Sequence, residues 1–172
     1  MSEPSCQGIL PYIKPGWVGV EIGVQWGISA LALLEHGARF LYLIDPWENY
    51  AGYADPSPYW NSLHDDILLE CKDRLKKYED RHYAILRMYS SEAHVFVPTV
   101  DFVWIDGNHS YHYVKEDCEN YWPKVRVGGV LCGHDYDTTG PSEVRDAVDD
   151  FARERGLLVK TTPSCFFIKR QT

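Results

Sequence analysis

The fold is decided by the stretch Gly19-Val20-Glu21-Ile22-Gly23-Val24-Gln25-Trp26-Gly27-Ile28-Ser29. An apolar run, residues 17–22, leads into it, and a helix-forming segment, residues 30–35, follows. The pattern predicts a strand, a turn that depends on glycine, and a helix N-terminus. Glycine lets a ligand approach the backbone where a Cβ would collide, and the start of a helix offers unpaired N–H groups. We interpret the turn as a candidate binding site, with a purely structural strand-turn-helix as the alternative.

Length and composition are those of a single domain, which we expect to span residues 1–172. The chain has a mass of 19.8 kDa, and 45% of its residues are apolar, enough to bury a core. Its formal net charge is -8, with 25 acidic against 17 basic residues. This balance argues against a nucleic-acid surface, which needs a basic stripe, and against an anionic membrane. It leaves open a small nucleotide-like ligand, because one pocket can differ from the average.

The cysteines and the N-terminus indicate the compartment. The five cysteines are odd in number and scattered, and they form no C-x-x-C pair. A disulfide scaffold or structural zinc site is therefore not expected, and a reducing compartment is favoured. Residues 1–7 are polar, and no apolar run approaches the length of a membrane span. These features predict a soluble, cytoplasmic protein.

Apolar runs and turn residues alternate along the chain and predict strands and helices in turn. The predicted strands are 17–22, 40–44, 82–88, 100–105, 127–132, 157–161 and 165–169. The predicted helices are 29–36, 62–78, 91–96, 111–122 and 142–155. The last two strands lie so close in sequence that they must pair antiparallel. Strand-helix units ending in such a hairpin predict an α/β fold, a mostly parallel sheet with helices on both faces.

Polar side chains follow the predicted strands, where ligands bind in open α/β sheets. The Asp45 carboxylate can accept both hydroxyls of a ribose, and an Asp that caps a helix before Pro46 is the alternative. Residues 88–90 follow the third strand, and a turn capped by Ser90 is the alternative to a ligand contact there. The other histidines outside the candidate site are expected at the surface or core edge: His36, His64, His82, His94 and His112.

Two carboxylates and two imidazoles follow the fourth and fifth strands. Asp106 and His109 lie in residues 101–111, and His134 and Asp135 lie in residues 128–136. We expect them to meet at one edge of the sheet, where such groups without nearby Lys or Arg would repel or shift their pKa values. A divalent cation would resolve this arrangement. Loop side chains satisfied by backbone hydrogen bonds are the alternative.

The turn Glu21-x-Gly23-x-x-x-Gly27, together with the order of elements and the terminal hairpin, resembles class I S-adenosylmethionine-dependent methyltransferases over about residues 17–169. The resemblance implies a Rossmann-like, seven-stranded sheet with S-adenosylmethionine as cosubstrate. It implies cosubstrate contacts at Glu21, Gly23, Val24, Gln25, Trp26, Gly27, Ser29, Asp45, Pro46, Trp47, Met88, Tyr89, Ser90 and Asp106. In this comparison Asp45 binds the ribose and residues 88–90 border the adenine.

The fourth and fifth strand ends resemble metal-dependent small-molecule O-methyltransferases, especially the macrocin-type enzymes that methylate sugar hydroxyls and more distantly the catechol-type enzymes. The resemblance implies metal ligands at Asp106, His134 and Asp135 and a general base at His109. Relatives often have an acid in place of His134, and an imidazole ligand lets manganese, iron or zinc compete with magnesium. The alternative is that His134 supports the ligands without contacting the cation, or acts as a second base.

The leading hypothesis is therefore a metal-assisted O-methyltransferase acting on a small hydroxylated acceptor, a sugar or a phenol-like compound. A catalytically silent module that keeps the cosubstrate pocket is one alternative. A dinucleotide-binding oxidoreductase is another, which the glycine spacing and the hairpin oppose. Residues 47–60 form a long loop rich in aromatic side chains, a lid over the ligand or a contact between copies in a homo-oligomer.

Overall fold

The computed structural model describes residues 3–48, 64–78, 81–137 and 139–171, which contain a seven-stranded sheet. The strands are β1 Val18–Ile22, β2 Phe40–Ile44, β3 Tyr83–Leu86, β4 Val100–Ile105, β5 Val125–Gly133, β6 Val159–Thr162 and β7 Cys165–Lys169. The helices are α1 Ile28–Glu35, α2 His64–Leu75, α3 Ser90–Ala93, α4 Tyr111–Tyr121 and α5 Glu143–Arg155. A 3-10 helix, Ser5–Tyr12, precedes β1.

The strand order is β3-β2-β1-β4-β5-β7-β6. Strands β1 to β5 pair in parallel, whereas β7 runs antiparallel between β5 and β6. The chain builds outward from β1 to β3, then returns to place β4 on the other side of β1. The carboxyl ends of β1 and β4 therefore flank a topological switch point, where ligands bind in open α/β sheets. This topology confirms the predicted fold class, including the terminal antiparallel pair.

Each face of the sheet carries a helical layer and its own core. On β4, Phe102 and Trp104 belong to the core cluster shared with α1 and α2, whereas Val103 and Ile105 belong to the cluster shared with α4 and α5. A strand buried on both faces needs apolar side chains in both directions, which explains the uninterrupted apolar runs in the sequence. No helix among the described residues combines the length and apolar character that a membrane crossing requires.

The structure departs from the sequence prediction at several element ends, including β6, which begins at Val159 rather than at residue 157. Strand β5 begins at Val125 rather than residue 127, because its register against β4 shifts near Gly128, which has a φ of 82°. Strand β3 and helix α3 are shorter than predicted, and a 3-10 turn, His94–Phe96, completes the latter. The 3-10 helix Ser5–Tyr12 was not expected. Only Cys6 and Ile9 are buried in it, too few to give a helical periodicity.

Candidate functional site

The turn between β1 and α1 depends on two glycines with different roles. Gly23 and Gly27 have φ values of 82° and 71°, a region that favours glycine. A Cβ on Gly23 would collide with the carbonyl oxygen of Asp106, so this glycine brings the turn against the end of β4. A Cβ on Gly27 would lie 2.7 Å from Cys71 Sγ, so this glycine lets α2 pack closely on the start of α1.

Asp45 ties this turn to the segment after β2. Its Oδ2 accepts a hydrogen bond from the Gln25 N–H at 2.9 Å, and its Oδ1 accepts one from the Trp47 N–H at 2.7 Å. Trp47 Nε1 donates to the Gln25 carbonyl at 3.0 Å, which closes the link. Burial raises the pKa of Asp45, and the backbone N–H donors oppose that shift. Each carboxylate oxygen has a further lone pair, so Asp45 retains capacity to accept a ligand hydroxyl.

A cavity of about 380 Å³ opens at the carboxyl ends of the strands. It falls in the size range of small-molecule and cofactor sites. Most of the predicted cosubstrate residues line it: Glu21, Gly23, Val24, Gln25, Trp26, Ser29, Asp45, Pro46, Trp47, Tyr89, Ser90 and Asp106. Gly27 and Met88 do not line the cavity. Gly27 lies against α2, and Met88 packs against the apolar cluster shared with α4 and α5. Of the aromatic loop, residues 49–60 lie outside the described residues.

The cavity is acidic. Seven carboxyl side chains line it: Glu3, Glu21, Asp45, Glu48, Asp106, Glu116 and Asp117. Among the described residues, no lysine or arginine lines it. Glu21 is fully buried, and its Oε2 has no hydrogen-bond partner within the described part of the chain. Burial, reinforced by the charges of Asp106 and Asp45, holds its pKa well above its usual range. A ligand that enters this cavity meets hydrogen-bond acceptors and negative charge.

Beside the cavity, the two carboxylates and two imidazoles meet as the sequence predicts. His109 Nε2 lies 3.1 Å from Asp135 Oδ2 and 3.9 Å from Asp106 Oδ1. His134 Nδ1 lies 3.1 Å from Asp135 Oδ1 and 3.8 Å from Asp106 Oδ1. Asp106 and His109 line the cavity, whereas His134 and Asp135 stand behind them at the end of β5. The four groups thus form one cluster across the ends of adjacent strands.

The charges of this cluster are interdependent. The neighbouring Asp106 carboxylate, followed by Asp135, raises the pKa of His109. Hydrogen bonding to Asp135 raises the pKa of His134 and lowers that of Asp135. Protons on the imidazoles thus offset the carboxylate charges, a task that a divalent cation performs equally well.

The donor set fits a divalent cation. One ligand atom each from Asp106, His134 and Asp135 lies within 4.8 Å of the others. Two carboxylates and an imidazole match the ligand types of magnesium, manganese, iron and zinc sites. All three side chains are partly buried, so the site keeps an open side toward solvent or a ligand.

Some residues of the site escaped sequence reasoning. Ser5, in the unexpected 3-10 helix, donates a hydrogen bond to Asp106 Oδ2, and its oxygen lies 2.8 Å from Ser29 Oγ. His64, at the start of α2, lines the cavity, as does Asp117 on α4. No motif marks these residues. Ser5 becomes visible only when the N-terminal segment is placed over the ends of the strands.

Comparison with known proteins agrees with this arrangement. The model of a family of methyltransferase domains matches residues 20–136, which include both strand ends of the cluster. An uncharacterized protein, y4gI, of Sinorhizobium fredii is 26% identical over 125 residues. The match takes in 67% of this chain but only 13% of y4gI, so the chain spans a small part of the length of that relative.

Solved structures share the fold. The O-methyltransferase NovP is 19% identical with a TM-score of 0.64, and the match covers 98% of this chain and 77% of NovP. A putative caffeoyl-CoA O-methyltransferase from Staphylococcus aureus is 16% identical with a TM-score of 0.62, and the match covers 88% of this chain and 75% of that protein. A ribosomal protein L11 methylase from Lactobacillus delbrueckii subsp. bulgaricus is 11% identical with a TM-score of 0.66, and the match covers 98% of this chain and 77% of that protein. Methylases of small and of large substrates share this fold, so the fold does not identify the molecule that accepts the methyl group.

Proposed function

We propose that this chain, which belongs to the methyltransferase domain family, uses S-adenosylmethionine to methylate a hydroxyl of a small molecule with the help of a divalent cation. The observation that carries the proposal is the cluster of Asp106, His134 and Asp135, with His109 at the edge of the cavity. A methyltransferase that only needs to bring two substrates together has no evident use for such a cluster.

The cosubstrate would supply an electrophilic methyl group bonded to a sulfonium sulfur. When the methyl group is transferred, this sulfur becomes a neutral thioether. The turn around Gly23 presents backbone to the cosubstrate, and Asp45 accepts hydrogen bonds from the ribose. Because the leaving group is neutral, no acid catalyst is needed. The residues of the chain therefore have to orient the acceptor and remove its proton.

A hydroxyl is a poor nucleophile at neutral pH. Asp106, His134 and Asp135 would hold a divalent cation, magnesium or manganese with iron or zinc in competition, and a bound cation lowers the pKa of a coordinated hydroxyl. Once a cation rather than imidazole protons offsets the carboxylate charges, His109 is free to take the proton of the hydroxyl, a role that suits an imidazole. The carboxylates of Asp106 and Asp135 stabilise the imidazolium that forms.

We also propose that the acceptor is a small molecule, a sugar or phenol-like compound, and neither nucleic acid nor membrane. The acidic lining and the lack of lysine or arginine among the described residues around the cavity support this choice, because a polyanion needs cationic contacts. A homo-oligomer is compatible with it. The five cysteines are free and buried, which favours a reducing compartment such as the cytoplasm.

The test begins with metal binding. Calorimetric titration with Mn²⁺ should detect one site, and Asp135→Asn should weaken it by more than about tenfold because a ligand is lost. Asp137→Asn is the matched control, since it removes an exposed carboxylate two residues further along. Release of S-adenosylhomocysteine in the presence of sugars and catechols should stop in excess EDTA.

Two outcomes would contradict the proposal. Undiminished turnover in EDTA would remove the metal from the mechanism. Binding of S-adenosylmethionine without methylation of any hydroxylated compound would favour the silent module.

A further inference from the structure

One buried carboxylate on the cavity wall has no role in the mechanism above. Asp117 lies on α4, is 3% exposed, and lines the cavity. Its Oδ1 has no hydrogen-bond partner among the described residues. Buried polar atoms are rarely left unpaired in native proteins, and each exception needs an explanation. An unpaired acceptor that faces a ligand cavity is explained by a donor on the ligand.

The surroundings of Asp117 narrow the choice of donor. Ser90, at the start of α3, hydrogen-bonds to the Asp117 side chain, and its carbonyl accepts from Tyr121 Oη at 2.8 Å. The hydrogen bond to Ser90 holds the carboxyl group and leaves Oδ1 available. Tyr89 and Tyr113 also line the cavity, and aromatic side chains can pack against a planar ring. Asp45, the candidate ribose partner, stands on a different element at the end of β2.

We propose that Asp117 selects the base of the cosubstrate, with Oδ1 accepting a hydrogen bond from the 6-amino group of adenine. The proposal rests on S-adenosylmethionine as cosubstrate and adds a specificity-determining residue on α4. Burial raises the pKa of Asp117 to about 7, and an amine donor satisfies either form of the carboxyl group. A 6-oxo purine presents an acceptor at the same position, which would leave Oδ1 of the ionised carboxylate unpaired and repelled, whereas a protonated Asp117 could donate to it.

The experiment compares two ligands that differ at this group, S-adenosylhomocysteine and its deaminated analogue S-inosylhomocysteine, by calorimetry without metal or acceptor. At pH 8.5, where Asp117 is ionised, the unaltered protein should prefer the amino ligand by about 10- to 150-fold, the ratio given by one hydrogen bond to a charged group. In Asp117→Asn the side-chain amide donates to the 6-oxo group, so the ratio should fall to within about threefold or invert. Glu119→Gln, an exposed carboxylate on the same helix, should keep the original ratio.

The outcomes separate the two proposals. Equal affinity of the unaltered protein for both ligands would overturn the role of Asp117, and so would an unchanged ratio in Asp117→Asn. The first measurement needs no variant, so a folding defect in Asp117→Asn does not prevent the test. Failure to bind either ligand would instead contradict the cosubstrate assignment. If turnover proved independent of metal, the proposed hydroxyl chemistry would fail, but the expected preference for S-adenosylhomocysteine over S-inosylhomocysteine would be unchanged.

Discussion

The side chain of Asp106 is held from two directions. Ser5 donates to Oδ2, while Oδ1 faces His109 and His134 at 3.9 and 3.8 Å. With Oδ2 engaged by a hydroxyl, Oδ1 is the oxygen that faces the imidazoles and is better placed to bind a cation. The N-terminal 3-10 helix therefore sets the orientation of a candidate metal ligand that lies far away in sequence. Hydrogen-bonded partners of metal ligands commonly tune affinity in this way.

Ser5→Ala should weaken Mn²⁺ binding by roughly tenfold, the lower end of the range for such partners, because Asp106 loses its fixed orientation. Ser5→Thr keeps the hydroxyl and should restore most of the affinity. Calorimetry with Mn²⁺ measures the effect, and the affinity for S-adenosylhomocysteine, measured in parallel, should fall less. An unchanged Mn²⁺ affinity in Ser5→Ala would show that Asp106 needs no support from the N-terminal helix.

His109→Ala should reduce turnover by about 10²–10⁴-fold, the usual contribution of a general base. Binding of cosubstrate and Mn²⁺ should change little, because His109 belongs to neither set of ligands. His112→Ala is the control, since His112 is exposed on α4 and makes an edge-on ring contact with Tyr113. Steady-state release of S-adenosylhomocysteine reports both rates. If His112→Ala loses turnover and His109→Ala does not, the base has been assigned to the wrong imidazole.

At the scale of elements, sequence patterns predicted what depends on local chemistry. Buried strands such as β4 appear as apolar runs, and the turn after β1 appears as glycines, so the sheet was predicted and confirmed. Which side of α4 faces the cavity depends on how the helix packs against its neighbours, and the local sequence does not predict this packing. Asp117 therefore looked like any other helical acid, although it is buried at the cavity wall.

The burial of Asp117 has a consequence for the stability of α4. Its pKa is raised from 3.8 to about 7. The native state therefore keeps a proton that the unfolded chain has lost, and the stability present below pH 4 is lost as the pH rises through about 7. Asp117→Asn removes this titration. Its unfolding free energy relative to the original protein should rise by roughly 3 kcal/mol from pH 5 to 8.

Urea denaturation at several pH values measures this difference. Glu21 also has a raised pKa, but it is common to both proteins and cancels. Glu119→Gln, exposed on the same helix, should follow the original protein at every pH. A difference between Asp117→Asn and the original protein that stays constant from pH 5 to 8 would contradict the raised pKa.

At the scale of the whole molecule, the strand order divides the site into two parts. The ends of β1, β2 and β3 supply most of the candidate cosubstrate contacts, and the ends of β4 and β5 supply the acidic and imidazole cluster, with Asp106 counted in both. The parts touch where Gly23 meets the carbonyl of Asp106. The membership of each residue in one part or the other follows from the topology, and the roles themselves stay predictions.

This division predicts that cosubstrate binding depends little on the metal. S-adenosylhomocysteine at about 100 times its Kd should raise the melting temperature by roughly 5–10 °C, and excess EDTA should leave that shift nearly unchanged. Asp45→Ala should weaken the binding of S-adenosylhomocysteine by about 1.5–3 kcal/mol, since hydrogen bonds to a charged group are lost. NAD should give a much smaller shift than S-adenosylhomocysteine.

Asp45 also accepts backbone hydrogen bonds, so the control must lose the same kind of contact elsewhere. Asp101 Oδ2 accepts from the Val18 N–H at 2.7 Å, and Asp101 lies outside the lining of the cavity. Asp101→Ala should therefore lower the melting temperature while its shift with S-adenosylhomocysteine stays normal. If Asp45→Ala behaves like Asp101→Ala, Asp45 only ties the turn to β2. A shift that disappears in Asp45→Ala alone assigns this carboxylate to the ligand.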